Sequence, residues 1–398
     1  MPSPAPGSNL SSLSSNPSFK TAHSTLTTQK DFSYLLRPEI YHPLTLLDVP
    51  PPFRTTASQP DPSTPLEVLL SAGHFRSAAI KASQLLTAPQ APPTPTIFSL
   101  LYIRLSCLTL CNQTPLAAQE VKCLEDLNSS YYRDDESGVH LVPWNLRVLA
   151  VRLQGMGYAD ARRGVMGFYE LAREARLALT SLKKTLAISP TSSISDEIAL
   201  WEERLSELAI RVASALIEMQ DLEGAAHFLD TSSPTSSPTQ TLPPLQTQNA
   251  LLYLCLGDVE AARSCIDTPT EDDAQDDAGK VILALAQMAD GEFDACVQIW
   301  EELIASASTG GTDGGELAMY RQNLAVCLLY LGRMDHAKEA LESLIDEGNS
   351  FHALTFNLST IYELCTERSR ALKIGLAERV AGMLVEGREG EGEGAGVG

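Results

Sequence analysis

The sequence predicts an all-α solenoid of antiparallel helix pairs, and three observations lead there. The 398 residues are 44% hydrophobic but only 6% aromatic, with Ala and Leu dominant, which suits helices better than sheets. The stretch YRQNLAVCLLYLGRMDHAKEALESLI, residues 320–345, reads as two amphipathic helices hinged at Gly332. Leu324, Ala325, Leu328 and Leu331 recur at three- and four-residue spacing before the glycine, and Ala337, Leu341 and Leu344 resume it afterwards. Two further hinge glycines, Gly257 and Gly291, lie 34 residues apart, and Asn323 and Asn357 repeat that interval.

A 34-residue helix–turn–helix period is that of tetratricopeptide repeats. A lone helix hairpin cannot bury its own apolar faces, so the pattern requires neighbours stacked on both sides. From the N-terminus, residues 1–30 are Ser, Thr and Pro with few large apolar side chains, too little to offset ordering entropy, and are expected to form a disordered tail. Residues 31–65 are expected to be an extended docking segment. Phe32, Tyr34, Leu35, Leu36, Ile40 and Tyr41 cluster there between prolines, either to drape along the first helices or to meet a partner.

Residues 66–230 are predicted to hold the N-terminal helical repeats. LEVLLSAGHFRSAAIKASQLL places Gly73 at a hinge and Ala78 at a helix crossing, and the next pair hinges between Asn112 and Pro115. A helix from Trp144 meets two competing hinges, Gly155 and Gly157, before a longer helix that reaches about Leu186. Ser195 is expected to cap the following helix, which runs to a turn at Gln220. The run 231–244 is a low-complexity loop between repeats, residues 245–383 carry the strict C-terminal tetratricopeptide repeats, and 384–398 form a Gly/Glu-rich disordered tail.

Each recurring residue type has a mechanical reason. Gly73, Gly257, Gly291 and Gly332 permit hinges where a side chain would be strained. Ala78, Ala262, Cys296 and Ala337 stand where two helix axes approach too closely for anything large. Ile266, Trp300 and Leu341 then face the following repeat. The eight cysteines include no CxxC pair and fall on apolar helical positions, so they read as small buried hydrophobes of a reducing compartment.

The formal charge of −21 opposes binding to a phosphate backbone or an anionic membrane, so neither nucleic acid nor direct membrane insertion is expected. The N-terminus has no signal-peptide pattern and no long apolar run appears, which predicts a cytoplasmic protein. No phosphate-cradling loop, GxSxG elbow, HExxH pair or GxGxxG turn is present, and the seven histidines are scattered. No enzyme activity, cofactor, metal or small-molecule substrate is therefore expected. The candidate interface is proteinaceous: Arg321, Asn323, Asn357 and Tyr362, with the two asparagines at matching positions of adjacent repeats on one concave face. The alternative reading is a co-chaperone-like adaptor that clamps peptide C-termini there, although the matching Lys/Arg set is not evident.

Two segments carry a more specific likeness. FNLSTIYELCTERSR, Phe356 to Arg370, and the Tyr131-Tyr132 pair followed by HLVPWNLRVLAVRLQ, His140 to Gln154, resemble in order the family of subunit 12 of the transport protein particle complex, known as TRAPP. The likeness runs from about residue 66 to 383. It implies a non-catalytic scaffold of a vesicle-tethering complex that activates a Rab-type GTPase in endoplasmic reticulum to Golgi traffic and in autophagy. It implies other TRAPP subunits as direct partners, the GTPase as an indirect one, and a location at endoplasmic reticulum–Golgi membranes through the complex. By this resemblance the chain is expected to lack the long N-terminal extension of animal members, and it inserts low-complexity loops at 231–244 and 306–315.

Overall fold

The computed structural model describes residues 30–54, 60–157, 160–188, 192–232, 243–266, 277–310 and 314–392. Most of the expected N-terminal tail, the centre of the 231–244 loop, the acidic run before Asp277 and the last six residues lie outside the described residues. Sixteen α-helices follow one another among the described residues, with no strand beyond one isolated bridge between Arg133 and His140. They pair as antiparallel hairpins: α1 (Leu66–Ser71) with α2 (Phe75–Leu86), α3 (Thr94–Leu110) with α4 (Thr114–Glu120), α5 (Trp144–Gly157) with α6 (Ala161–Ile188), and α7 (Ser192–Glu218) with α8 (Leu222–Ser232). The C-terminal half continues with α9 (Pro243–Leu256) and α10 (Val259–Ser264), α11 (Asp277–Asp290) and α12 (Phe293–Gly310), α13 (Gly314–Tyr330) and α14 (Met334–Asp346), and α15 (His352–Cys365) and α16 (Ser369–Gly392). The fold is an all-α, tetratricopeptide-type solenoid.

The hinges share one mechanism. At Gly73, Gly257, Gly291 and Gly332 the backbone enters the left-handed region, with φ between +73° and +83°. Beyond each, an N–H reaches back five residues to an orphan helix-end carbonyl, as Arg333 does to Leu328 at 2.8 Å and Glu292 to Gln287 at 2.9 Å. Asn112 and Gln220 adopt the same turn without glycine, at φ +58° and +61°. Neither Gly155 nor Gly157 acts as a hinge. Both belong to α5, where Gly155 meets Gly164 of α6 so closely that a Cβ on Gly155 would stand 3.2 Å from the Gly164 Cα. A Cβ on Gly157 would fall 2.3 Å from that of Ala118.

Hydrophobic clusters succeed one another along the chain. Leu341, Leu344, Leu354 and Leu358 join α14 to α15, while Trp300, Tyr320 and Cys327 join α12 to α13. Ala78, Ala262, Cys296 and Ala337 are all fully buried. Cys107, Cys296 and Cys327 are likewise buried, but Cys255 and Cys365 are exposed, against the expectation that all thiols pack inside; all eight are free.

Four boundaries differ from expectation. α7 begins at Ser192, so Ser195 is inside a helix rather than at its cap. The Gly-rich loop at 306–315 is largely absorbed by α12, which runs to Gly310, and α13, which starts at Gly314. The ends of the 231–244 loop are helical, in α8 to Ser232 and in α9 from Pro243. The 384–398 tail is helical as far as Gly392.

Candidate functional site: a self-docked strap and a C-terminal helix face

Residues 31–54 are not an extended segment. They form four short 3-10 turns, Ser33–Leu36, Pro38–Ile40, Leu46–Asp48 and Pro51–Arg54, because prolines and short apolar runs permit one turn at a time. Phe32 and Leu35 are buried in the first core beside Phe98, Leu101 and Tyr132. The Phe32 ring meets Phe98 edge-on at 5.0 Å and stacks 5.9 Å from Tyr132. Tyr34 and Tyr132 share a hydroxyl–hydroxyl bond of 2.7 Å, and Tyr132 donates to the Leu124 carbonyl at 2.8 Å. The paired-tyrosine loop is thus the receptor for the chain's own strap, whose largest apolar groups are already used.

The strap is tied down by a buried ion pair that the sequence reading missed. Arg104 on α3 and Glu120 at the end of α4 are each 1% exposed. The guanidinium forks onto the carboxylate, Nη2 to Oε1 at 2.7 Å and Nε to Oε2 at 3.0 Å. Nη1 donates to the Ala79 carbonyl on α2 at 3.0 Å, and Nη2 also to the His42 carbonyl of the strap at 2.7 Å. The His42 N–H returns to Glu120 Oε1 at 2.8 Å. One charged pair therefore joins four segments. A cation inside the otherwise apolar run FSLLYIRLSCL was its sequence signal.

The sequence-predicted interface residues are divided by the structure. Tyr362 is 2% exposed and donates to Glu342 at 2.8 Å, so it is a core residue and not an interface one; burial also raises its phenol well above the usual range. Arg321 is engaged by Glu347, with Nη2 to Oε1 at 2.9 Å and to Ser343 Oγ at 2.8 Å, and that fork holds the Glu347 carboxyl below the ordinary carboxylate range. The cation a carboxylate clamp would need is already spent. Asn323 on α13 is half-buried and directs Nδ2 to the Met319 sulfur at 3.2 Å. Asn357 is half-buried in mid-α15, where capping is impossible, beside Phe356, 61% exposed; Leu364 on the same helix is exposed equally. Ile361 and Leu358 hold the opposite side of α15 in the core. Cys327, between α13 and α12, has its thiol pushed up to about 12 by burial, which makes it inert at neutral pH.

Among the described residues no group of three metal-ligating side chains converges, and no helix is long and apolar enough to cross a membrane.

No family model matches the chain. It is similar to trafficking protein particle complex subunit 12 of Mus musculus, 25% identical over 348 residues that cover 79% of this chain and 42% of that protein. The human protein of the same name is 25% identical over 351 residues, 80% of this chain and 46% of its own length. The chain thus spans less than half the length of the curated relatives it matches. Among solved structures, a tetratricopeptide repeat protein from Parabacteroides merdae aligns with 73% of this chain and 97% of its own, at 14% identity and a TM-score of 0.40.

Proposed function

We propose that this chain, similar as it is to TRAPP subunit 12, is a non-catalytic scaffold subunit of a TRAPP-type vesicle-tethering complex. The observation that carries the proposal is the colinear similarity over about four-fifths of the chain. The solenoid supports it, because a stack of hairpins offers extended surface to protein partners without a central reaction cavity. In this reading the direct partners are other TRAPP subunits, a Rab-type GTPase is served only through them, and the chain sits peripherally at endoplasmic reticulum–Golgi membranes. Its processes are endoplasmic reticulum to Golgi traffic and autophagy.

The exposed face of α15, with Phe356, Asn357 and Leu364, is the contact we assign to a partner subunit; large apolar side chains held outward on a rigid helix fit such a role. Affinity purification of the tagged chain from gently lysed cells should recover TRAPP subunits in fixed stoichiometry. Recovery of the chain alone overturns the proposal. Phe356→Ser and Asn357→Ala should weaken capture with helicity unchanged, and full capture by both variants removes α15 from the interface.

A further inference from the structure

A second polar cluster lies away from both the strap and α15. The loop before α5, the start of α5, the middle of α6 and the first half of α7 enclose a cleft of about 610 Å³. Two tetrads with the same spacing build its wall: Trp144-Asn145-Leu146-Arg147 on α5 and Trp201-Glu202-Glu203-Arg204 on α7. Three residues on a helix turn a side chain back to nearly the same face, so each tryptophan lies beside its own arginine. The two indoles meet edge-on with centroids 5.6 Å apart, and the Arg204 guanidinium lies over both rings, 4.5 Å from the Trp201 centroid and 5.0 Å from that of Trp144.

The cleft is short of negative charge. Arg133, Arg147 and Arg204 line it against the single carboxylate of Glu174, which is forked by Arg147 at 2.7 and 3.0 Å and reached by Arg133 at 3.0 Å. His140, also on the wall, is neutral: its Nδ1 accepts from the Val142 N–H at 3.0 Å, which leaves Nε2 to donate to the Leu127 carbonyl at 2.9 Å. Among the described residues Arg204 makes no ion pair. The charged side chains that line the cleft therefore sum to a surplus of two positive charges in a chain whose total is −21, with Glu203 and Glu207 just outside the lining offsetting part of the Arg204 charge.

Two donors close to the cleft lack partners. Trp144 and Arg147 are 91% and 97% buried, from exposures of 9% and 3%, yet the indole Nε1 of the first and the Nε of the second have no hydrogen-bond acceptor. An unmet buried donor costs stability unless an acceptor arrives from elsewhere. Both atoms are closed to solvent, so the group open to an oxygen anion is the Arg204 guanidinium held between the indole faces.

The other walls narrow the ligand. Val139, Val142, Pro143 and Leu177 are apolar, and the volume far exceeds that of a lone anion, for which about 30 Å³ of water would be displaced. The ligand must bring an apolar body behind its anionic head. Glu174 favours a monoanion over a dianion, since it repels each added negative charge. A guanidinium laid on an indole face keeps its in-plane N–H groups free for a planar fork, which suits a carboxylate.

From this geometry we infer that the Trp144–Arg147–Trp201–Arg204 cleft is a binding site for an acidic peptide segment of a protein partner, one Asp or Glu carboxylate received by Arg204 with neighbouring apolar side chains on the tryptophan wall. The inference stands apart from the assignment to a TRAPP complex, because it concerns the ligand chemistry of this chain alone.

The chain has three tryptophans, and two of them line the cleft while Trp300 is buried in another core, so indole fluorescence reports the site. The full chain is titrated with N-acetylated, C-amidated tetrapeptides carrying one Asp or Glu among Leu, Val and Phe, with the Asn or Gln counterparts, and with inorganic phosphate and a phosphoserine peptide. The acidic set should quench saturably, bind at least tenfold tighter than the amide set, and weaken with added salt. Arg204→Gln should lose at least tenfold, Arg204→Lys should recover part of it, and Lys338→Gln on α14 should change nothing. Equal binding of the acid and amide sets, no saturation by millimolar peptide, or undiminished binding by Arg204→Gln overturns the inference. Binding of phosphate or phosphoserine peptide without the acidic set overturns it too, in favour of a phosphate site. Where Arg204→Gln fails to fold, the acid–amide comparison on the unaltered chain decides alone.

Discussion

Removing one partner of the Arg104–Glu120 pair should loosen the N-terminal strap before it disturbs the rest of the solenoid. Glu120 accepts three hydrogen bonds, two from Arg104 and one from His42, and both charges are fully desolvated. In Glu120→Gln the amide NH2 faces a guanidinium donor, and the Arg104 charge is left without its counter-ion. Stranding a buried charge in this way costs about 3–5 kcal/mol. Replacing both residues, Arg104→Met with Glu120→Leu, removes the stranded charge but still takes one hydrogen bond each from the His42 N–H, the His42 C=O and the Ala79 C=O. At about 1 kcal/mol net for each bond lost, the double variant should be less damaged than either single one. The pair is therefore strongly non-additive, with a coupling of several kcal/mol. Solenoid repeats open partly independently, so the readout has to be local. Hydrogen exchange at residues 31–54 and at α3 should accelerate in both single variants, while α11–α14 keep their protection. Additive losses in the double variant, or single losses below about 1 kcal/mol, would refute the argument that this pair clasps the strap.

Three further outcomes follow from the geometry. Gly332→Ala forces a Cβ into a left-handed turn with φ +76°, where strain rather than space is limiting, and should cost about 1–2 kcal/mol, read as a fall in the urea midpoint of the C-terminal repeats. Ala337→Leu overpacks a fully buried crossing by about 1–3 kcal/mol, and an unchanged melting curve would show that the α13–α14 axes are not in close contact there. Acid should destabilise the α5–α7 region through two groups. His140 is held below its ordinary 6.5 first by burial and then by the Arg147 charge, so its contribution is complete above 6.5 and is lost as pH falls through the lowered value. Burial alone would raise Glu174, but the Arg147 bond and the Arg147 and Arg133 charges outweigh it, so its contribution is complete above 4.5 and lost at still lower pH. His140→Asn should therefore flatten the upper part of the thermal-stability profile between pH 7 and 5; an identical profile would remove His140 from the account.

The helical period and the hinge glycines were legible because they rest on local rules: apolar spacing declares a helix face, and a positive φ selects glycine. Where another residue took the same conformation the signal weakened. Gln220 turns α7 into α8 at φ +61° with no glycine, and its position could be read only from the end of the preceding apolar pattern. The opposite error arose at Gly155 and Gly157. Their small size serves contact with Gly164 and Ala118, and a glycine that permits close approach looks in sequence like one that permits a turn. Interface residues were harder still. Tyr362 and Asn357 lie five residues apart on one helix, yet one is core and the other partly exposed, because Tyr362 packs into the cluster with Leu341, Leu344 and Leu376. The Arg104–Glu120 pair and the paired Trp-x-x-Arg tetrads depend on contacts between separate helices, which periodicity along one helix does not report.

The strap also joins parts of the stack that are distant in sequence. Phe32, Leu35 and Tyr41 pack into the core built by α3, α4 and α5, and Tyr41 secures its own turn by donating to the Leu35 carbonyl at 2.6 Å. The same segment continues to the Pro51–Arg54 turn, which packs against α16, where Pro50, Pro51 and Pro52 flank Ile374, Ala377 and Ala381. Proline suits that contact: it needs no backbone donor satisfied, and its fixed φ limits the entropy lost on docking. A single irregular segment thus touches both the α3–α5 core and α16. The paired tyrosines that receive it are for that reason part of the fold's stability, and the surfaces left for partners are those the strap does not reach.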